Sequence, residues 1–202
     1  MIDFSPMNST KNRILQAART VLINQGSGGF SMRKVAAEAA ITLGNVQYHY
    51  KTKTDLLSEL MLWYVAEYKN GLLQTMNDVE AGKEGLRRFI EVVLSDEADS
   101  DEIKLSLAIV SCAEEQALTN QFAAFYDEFY ALLADFLGRI AGKPVESSCI
   151  QTGASILLTV INGYGLVSQQ LGINTQVMAD ELTTMIWNKV SNVEGEACSR
   201  LE

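Results

Sequence analysis

Apolar side chains recur along most of this chain at intervals of three and four residues, the period of a helix with one buried face. Ile14, Leu15, Ala18, Val21 and Leu22 form the first stripe, and Gly26 is placed to stop it. Ser31 stands where an N-cap belongs, ahead of Met32, Val35, Ala36 and Ala39. Thr42 is a second N-cap, before a short helix through Val46 to about Tyr48. Thr52 and Asp55 fit a capping box that opens a long helix carrying Leu56, Leu57, Leu60, Met61, Tyr64, Val65 and Tyr68.

The remainder repeats the pattern. Leu86, Phe89, Ile90, Val93 and Leu94 share one face. Residues 103–113 are apolar almost all round, which predicts central burial. Phe122, Phe125, Tyr126, Phe129, Leu132, Leu133, Phe136 and Ile140 follow, stopped by Gly142 and Pro144, and two further helices span about 146–171 and 175–192. No strand alternation and no internal repeat interrupts this series, so the expected fold is all-α with about nine helices. Residues 1–55 are expected to form one domain and 56–202 another. The most apolar run, Gly153–Val167, is interrupted by Asn162, Gly163 and Gly165 and falls short of the ~20 residues a membrane span needs. With no signal-peptide pattern in Met1–Met7, the expectation is a cytoplasmic protein with no membrane partner.

Composition narrows the chemistry. A chain of 202 residues with 48% apolar and 20% charged residues can bury a core without cross-links. Cys112, Cys149 and Cys198 are odd in number and widely spaced, with no zinc or disulfide pattern. His49 is the single histidine. No metal site, cofactor or catalytic constellation is expected, and an all-α enzyme is disfavoured. The five carboxylates within Asp96–Glu102 read as a solvated loop rather than a cation site.

The charge is uneven. The net value is −9, yet residues 1–55 carry seven basic and three acidic side chains, a balance of +4, and the rest carries −13. A small basic head on an acidic body suits a polyanion that docks on one face only.

That head contains SMRKVAAEAAITLGNVQYHY, residues 31–50. Two short helices joined by a tight turn at Ala39–Ile41, with small Ala36 at the crossing, describe a helix-turn-helix. In such a unit the second helix enters the major groove. Here it presents Thr42, Leu43, Gly44, Asn45, Gln47 and Tyr48. Asn45 and Gln47 amides can read adenine, Leu43 can meet a thymine methyl, and Gly44 lets the backbone come close. Thr42 caps its helix and has a second role at a phosphate or base. Ser31, Arg33 and Lys34 open the preceding helix, with a phosphate contact favoured for one of the two cations. Lys51 and Lys53 flank the start of the next helix, where amides and the dipole also favour a phosphate.

Residues 10–57 resemble the DNA-binding domain of the TetR family of bacterial repressors. The resemblance rests on Ser31, Val35-Ala36, Ala39-Ala40-Ile41-Thr42, Gly44, Gln47-Tyr48-His49-Tyr50 and Lys53-Thr54-Asp55-Leu56, in order and without a gap. Ala40 stands where the family pattern has a turn glycine, Tyr50 where it has Phe, and Gln47 where it has Tyr. By this resemblance His49 packs against neighbouring helices, with a phosphate contact as the lesser alternative. The resemblance further implies a homodimer that reads a palindromic operator on double-stranded DNA and is released by a small-molecule effector. The dimer would form through the last two helices, with Gly153, Ala154, Gly163 and Gly165 allowing close approach. Ile156, Leu157, Val160, Ile161, Met178, Leu182, Met185, Ile186 and Val190 would supply apolar area. It would set two recognition helices ~34 Å or a little more apart.

The effector pocket would lie among the middle helices, with Trp63, Tyr64, Tyr68, Phe89, Cys112, Gln116, Phe125, Tyr126, Phe129, Asn162 and Tyr164 as candidates. Glu114 and Glu115 would suit a cationic ligand. For each of these, plain core packing or solvation competes. The alternative function is a helical small-molecule-binding or adaptor protein that has lost DNA binding, motivated by Gln47 and Ala40 and opposed by Lys51, Lys53 and the basic head.

Overall fold

The computed structural model describes residues 9–97, 100–111 and 116–191. Among them lie nine helices and no strand: α1 (Thr10–Gly29), α2 (Met32–Glu38), α3 (Leu43–His49), α4 (Lys53–Asp78), α5 (Lys83–Glu97), α6 (Ser100–Val110), α7 (Gln116–Ala141), α8 (Ser148–Leu171) and α9 (Thr175–Ser191). The all-α expectation holds. Packing divides the chain into two compact units: the chain up to Lys69 together with Ser100–Phe125, and Asn70–Asp99 together with Tyr126 onward.

In the first unit, α1 packs on α2 and α6, and α2 on α3. Ser9 caps α1 by accepting the Asn12 N–H at 3.2 Å. Gly26 (φ 65°, ψ −178°) breaks the helix where the stripe ends, and one further turn reaches Gly29. The core joins Ile14, Ala18, Leu22, Val35, Val46, Tyr50, Leu56 and Leu60 to Leu105, Ala108 and Ile109 of α6. Helix α6 is not buried all round, as its composition suggested. Leu107 is exposed, because one face of α6 lies on α1 and the other turns to solvent.

In the second unit, α5 packs on α8 and α9, and α8 packs on α9. The Phe89 and Phe136 rings sit 4.4 Å apart at the centre of this core. Helix α8 runs unbroken through Asn162, Gly163 and Gly165, as the expected helix over about 146–171 requires, since a helix interior tolerates glycine at about 1 kcal/mol when packing holds it. Its Ser148–Ser168 stretch is long and apolar enough to cross a membrane by length and composition. Within the unit, however, Ile150, Ala154, Leu157, Ile161 and Tyr164 are buried while Ser155 and Thr159 are exposed, the sidedness of a core helix. At Gly153 a Cβ would fall 2.9 Å from Val190 and 3.3 Å from Leu137, so this glycine sets how closely α8 meets its neighbours. Gly172, at φ 60°, closes α8, and the Tyr164 hydroxyl meets Thr175 Oγ1 at 2.7 Å.

Two further expectations change. The acidic segment Asp96–Glu102 is helical where it is described: α5 runs to Glu97 and α6 begins at Ser100, and Asp101 pairs with Lys104 at 3.1 Å. The side chains of Asp96, Glu97, Asp99 and Glu102 lie outside the described residues. Leu157, Ile161, Leu182, Ile186 and Val190 are buried within the single chain, so they are core rather than area for a second copy.

Candidate nucleic-acid interface

The site is built on two caps and one turn. Ser31 Oγ accepts the Lys34 N–H at 3.4 Å and starts α2. At the other end the chain reverses at Ala40, whose φ of 51° is the only positive value outside glycine among the described residues. The Ile41 N–H reaches the Ala36 carbonyl at 3.0 Å and the Ala40 N–H the Ala37 carbonyl at 3.1 Å. This pair of bonds is a Schellman closure, made here with alanine in the left-handed position that glycine prefers. Ile41 then tucks against the core, and Thr42 Oγ1 accepts the Asn45 N–H at 3.2 Å to start α3.

Burial sorts α3 into two sides. Val46 is fully buried, Leu43 packs against the core, and Tyr50 seals the far end. Gly44, Asn45, Gln47 and Tyr48 are exposed, as is the capping Thr42. Tyr48 is 75% exposed and meets the His49 ring edge-on at 5.2 Å. His49 is half-buried. Leu43 therefore serves the core, and the outward side of α3 is two amides, a phenol and a glycine.

The basic residues divide as well. Arg33 and Lys51 are exposed. Lys34 Nζ donates to the Gly29 carbonyl at 2.8 Å, across the α1–α2 connection, which leaves Arg33 as the better-placed phosphate ligand of the two. Lys53 Nζ lies 5.6 Å over the Phe30 ring. The expected capping box is present: Asp55 N–H to Thr52 Oγ1 at 3.0 Å, and Thr52 N–H to Asp55 Oδ2 at 2.9 Å. It occupies two amides that the sequence reading offered to a phosphate. Lys11 is ion-paired with Glu59 and lies 5.8 Å over the Tyr50 ring. The Tyr50 hydroxyl is buried without a hydrogen-bond partner, and burial, then the Glu59 charge, push its pKa above the ordinary 10.0. Arg13, one of the seven basic residues of the head, donates through Nη2 to the Ala39 carbonyl at 2.6 Å.

The effector candidates fall in both units. Tyr64, Tyr68 and Phe125 are half-buried in the first, with Tyr68 6.3 Å from each of the other two rings. In the second, Phe89, Phe129 and Tyr164 are buried, and Tyr126 is exposed. Half-buried Asn162 donates to the Leu158 carbonyl at 2.8 Å, one turn back on its own helix. Trp63 packs against the first core. Cys112, Glu114, Glu115 and the Gln116 side chain lie outside the described residues.

A capped tripod of short helices with an outward amide-bearing helix and cations at its flanks is a helix-turn-helix DNA-binding head, and the class it defines is a transcriptional regulator. Residues 14–60 match the family profile described as bacterial regulatory proteins, tetR family. The chain is 23% identical over 199 residues to an uncharacterised helix-turn-helix transcriptional regulator from the dhlA 5′ region of Xanthobacter autotrophicus, covering 91% of this chain and 94% of the relative. A crystal structure of a proposed transcriptional regulator from Pseudomonas aeruginosa has the same fold, with TM-score 0.76 at 22% identity over 90% of this chain and 89% of that one. Another, from Saccharomonospora viridis and solved with choline, matches at TM-score 0.71 and 20% identity over 87% and 94% of the two chains. Residues 14–60 are thus a TetR-type helix-turn-helix DNA-binding domain, and the relatives that match along most of the chain are transcriptional regulators.

Proposed function

We propose that the protein is a homodimeric, effector-released repressor acting in the cytoplasm on a palindromic operator. In this reading residues 1–55 dock on DNA and residues 56–202 bind the effector and pair the two copies. The observation that carries the DNA half is the sidedness of α3, with Val46 and Leu43 holding the helix while Asn45, Gln47 and Tyr48 stand outward. Asn45 and Gln47 read base edges, Tyr48 reaches a phosphate or base, and Ser31, Arg33, Thr42, Lys51 and Lys53 fix the register on the backbone. His49 supports the helix from its half-buried position. The exposed recognition side weighs against the reading in which DNA binding has been lost.

The pairing half is supported by apolar exposure on the last two helices. Leu166, Val167 and Leu171 of α8 and Val177 and Met185 of α9 face solvent in the single chain, Leu171 at 70%. Gly163 has open space where a Cβ would stand, so a second helix can come close there. Effector binding is supported by the choline-bound S. viridis neighbour. The effector acts only by binding one state better than the other: ~1.4 kcal/mol of preference shifts operator affinity tenfold. Helix α4, continuous from Lys53 to Asp78, is the element that would carry the change.

The test is selection from a random duplex pool by purified protein, with light scattering on the same sample. Enrichment of a palindrome by a species of twice the chain mass supports the reading. Enrichment of nothing at low and moderate salt overturns it for the effector-free protein.

A further inference from the structure

Helix α2 ends with its last carbonyls lacking helical partners. The Schellman bonds use those of Ala36 and Ala37. That of Ala39, the C-cap itself, is met by Arg13, 26 residues earlier in the first turns of α1. The donor is a cation at a helix C-terminus, where the partial charge is negative, so the bond is charge-assisted. It lands one residue before Ala40, the strained left-handed position, and three before Thr42, which starts α3. Other bonds in this turn join neighbours in sequence, whereas this one anchors the turn to a separate helix.

We propose that Arg13 is a positioning residue for operator recognition: its guanidinium on the Ala39 carbonyl holds the Ala40 turn, and through it the angle at which α3 is presented. Arg13 does not act as a phosphate ligand. Glycine at position 40 would take the left-handed conformation without strain and would make the clamp dispensable. The proposal rests on DNA binding by the head, and the experiment separates the two.

The variants are Arg13→Met, Ala40→Gly and the double substitution, all in the full chain. The probe is the duplex that the wild type enriches from a random pool, titrated over a salt series. Arg13→Met should weaken binding about tenfold, the scale of one charged hydrogen bond. The slope of log affinity against log salt should not change, whereas loss of a phosphate contact would lower it by ~0.9. Adding Ala40→Gly should restore most of the affinity. Amide exchange at Ile41 and along α3 should quicken in Arg13→Met and recover in the double variant, with α8 and α9 unaffected. A lowered slope overturns the proposal and makes Arg13 a phosphate ligand. Unchanged affinity, or no rescue with exchange quickened throughout the chain, also overturns it. If the wild type enriches no duplex, the DNA reading fails and takes the recognition role of Arg13 with it. The exchange arm still decides whether Arg13 holds the turn.

Discussion

Gly26 and Ala40 both hold positive φ, and they should answer substitution in opposite directions. At Gly26 (φ 65°, ψ −178°) the backbone occupies a region closed to side chains, although an added Cβ would meet nothing within 4 Å. Gly26→Ala should therefore destabilise through the backbone alone, by about 1–3 kcal/mol in urea unfolding. Ala40→Gly should stabilise by about 0.5–1 kcal/mol, the relief of a left-handed alanine less the added entropy of the unfolded chain. Tyr50 carries a second local penalty. Its unpartnered buried hydroxyl makes Tyr50→Phe stabilising by about 1 kcal/mol. The raised Tyr50 pKa also has a sign. Below 10.0 both folded and unfolded forms hold the proton; above it the unfolded chain releases the proton first, so stability falls as pH rises. Absorbance titration should show a tyrosine step that comes only with unfolding, and Tyr50→Phe should remove it.

At the scale of elements, what was readable from sequence was what is local. Ser31, Thr42 and the Thr52–Asp55 box each make bonds within three residues, so a residue type at a fixed offset announces them. Thr52→Ala should cost about 1 kcal/mol by thermal melting and loosen the start of α4 between Lys51 and Lys53. What escaped depends on distant neighbours. The hydrophobic pattern of α6 could not say that Leu107 faces water, because α1, which covers the other face, lies far back in the sequence. Gly153 is expected to allow close approach of a second copy, yet the side chains that need its missing Cβ are Val190 and Leu137 of the same chain. Leu43 leads the recognition helix, and its position does not announce that it also packs partly against the core. Arg13 counts in the sequence only as charge and Lys34 as a candidate phosphate contact, and their carbonyl partners lie across turns that no spacing rule encodes.

For the whole molecule, the two kinds of apolar residue on α8 and α9 should separate by experiment. Met185→Glu, at a position 48% exposed, should leave the chain folded, convert it to a single-chain species in light scattering, and reduce binding to a palindrome far more than to a half-site. Leu157→Ala, fully buried, should instead destabilise the fold by about 2–5 kcal/mol. The first compact unit is also discontinuous, since Ser100–Phe125 completes a core begun near Thr10. A fragment ending at Lys69 should be less stable in urea than the same unit within the full chain. The order of synthesis sharpens this point. The ribosome releases α1 long before Leu105, Ala108 and Ile109 exist to cover it. The nascent head must wait with apolar surface open until the middle of the chain emerges, so translational pausing between α4 and α6 would be the moment at which this regulator is most open to chaperones and proteases.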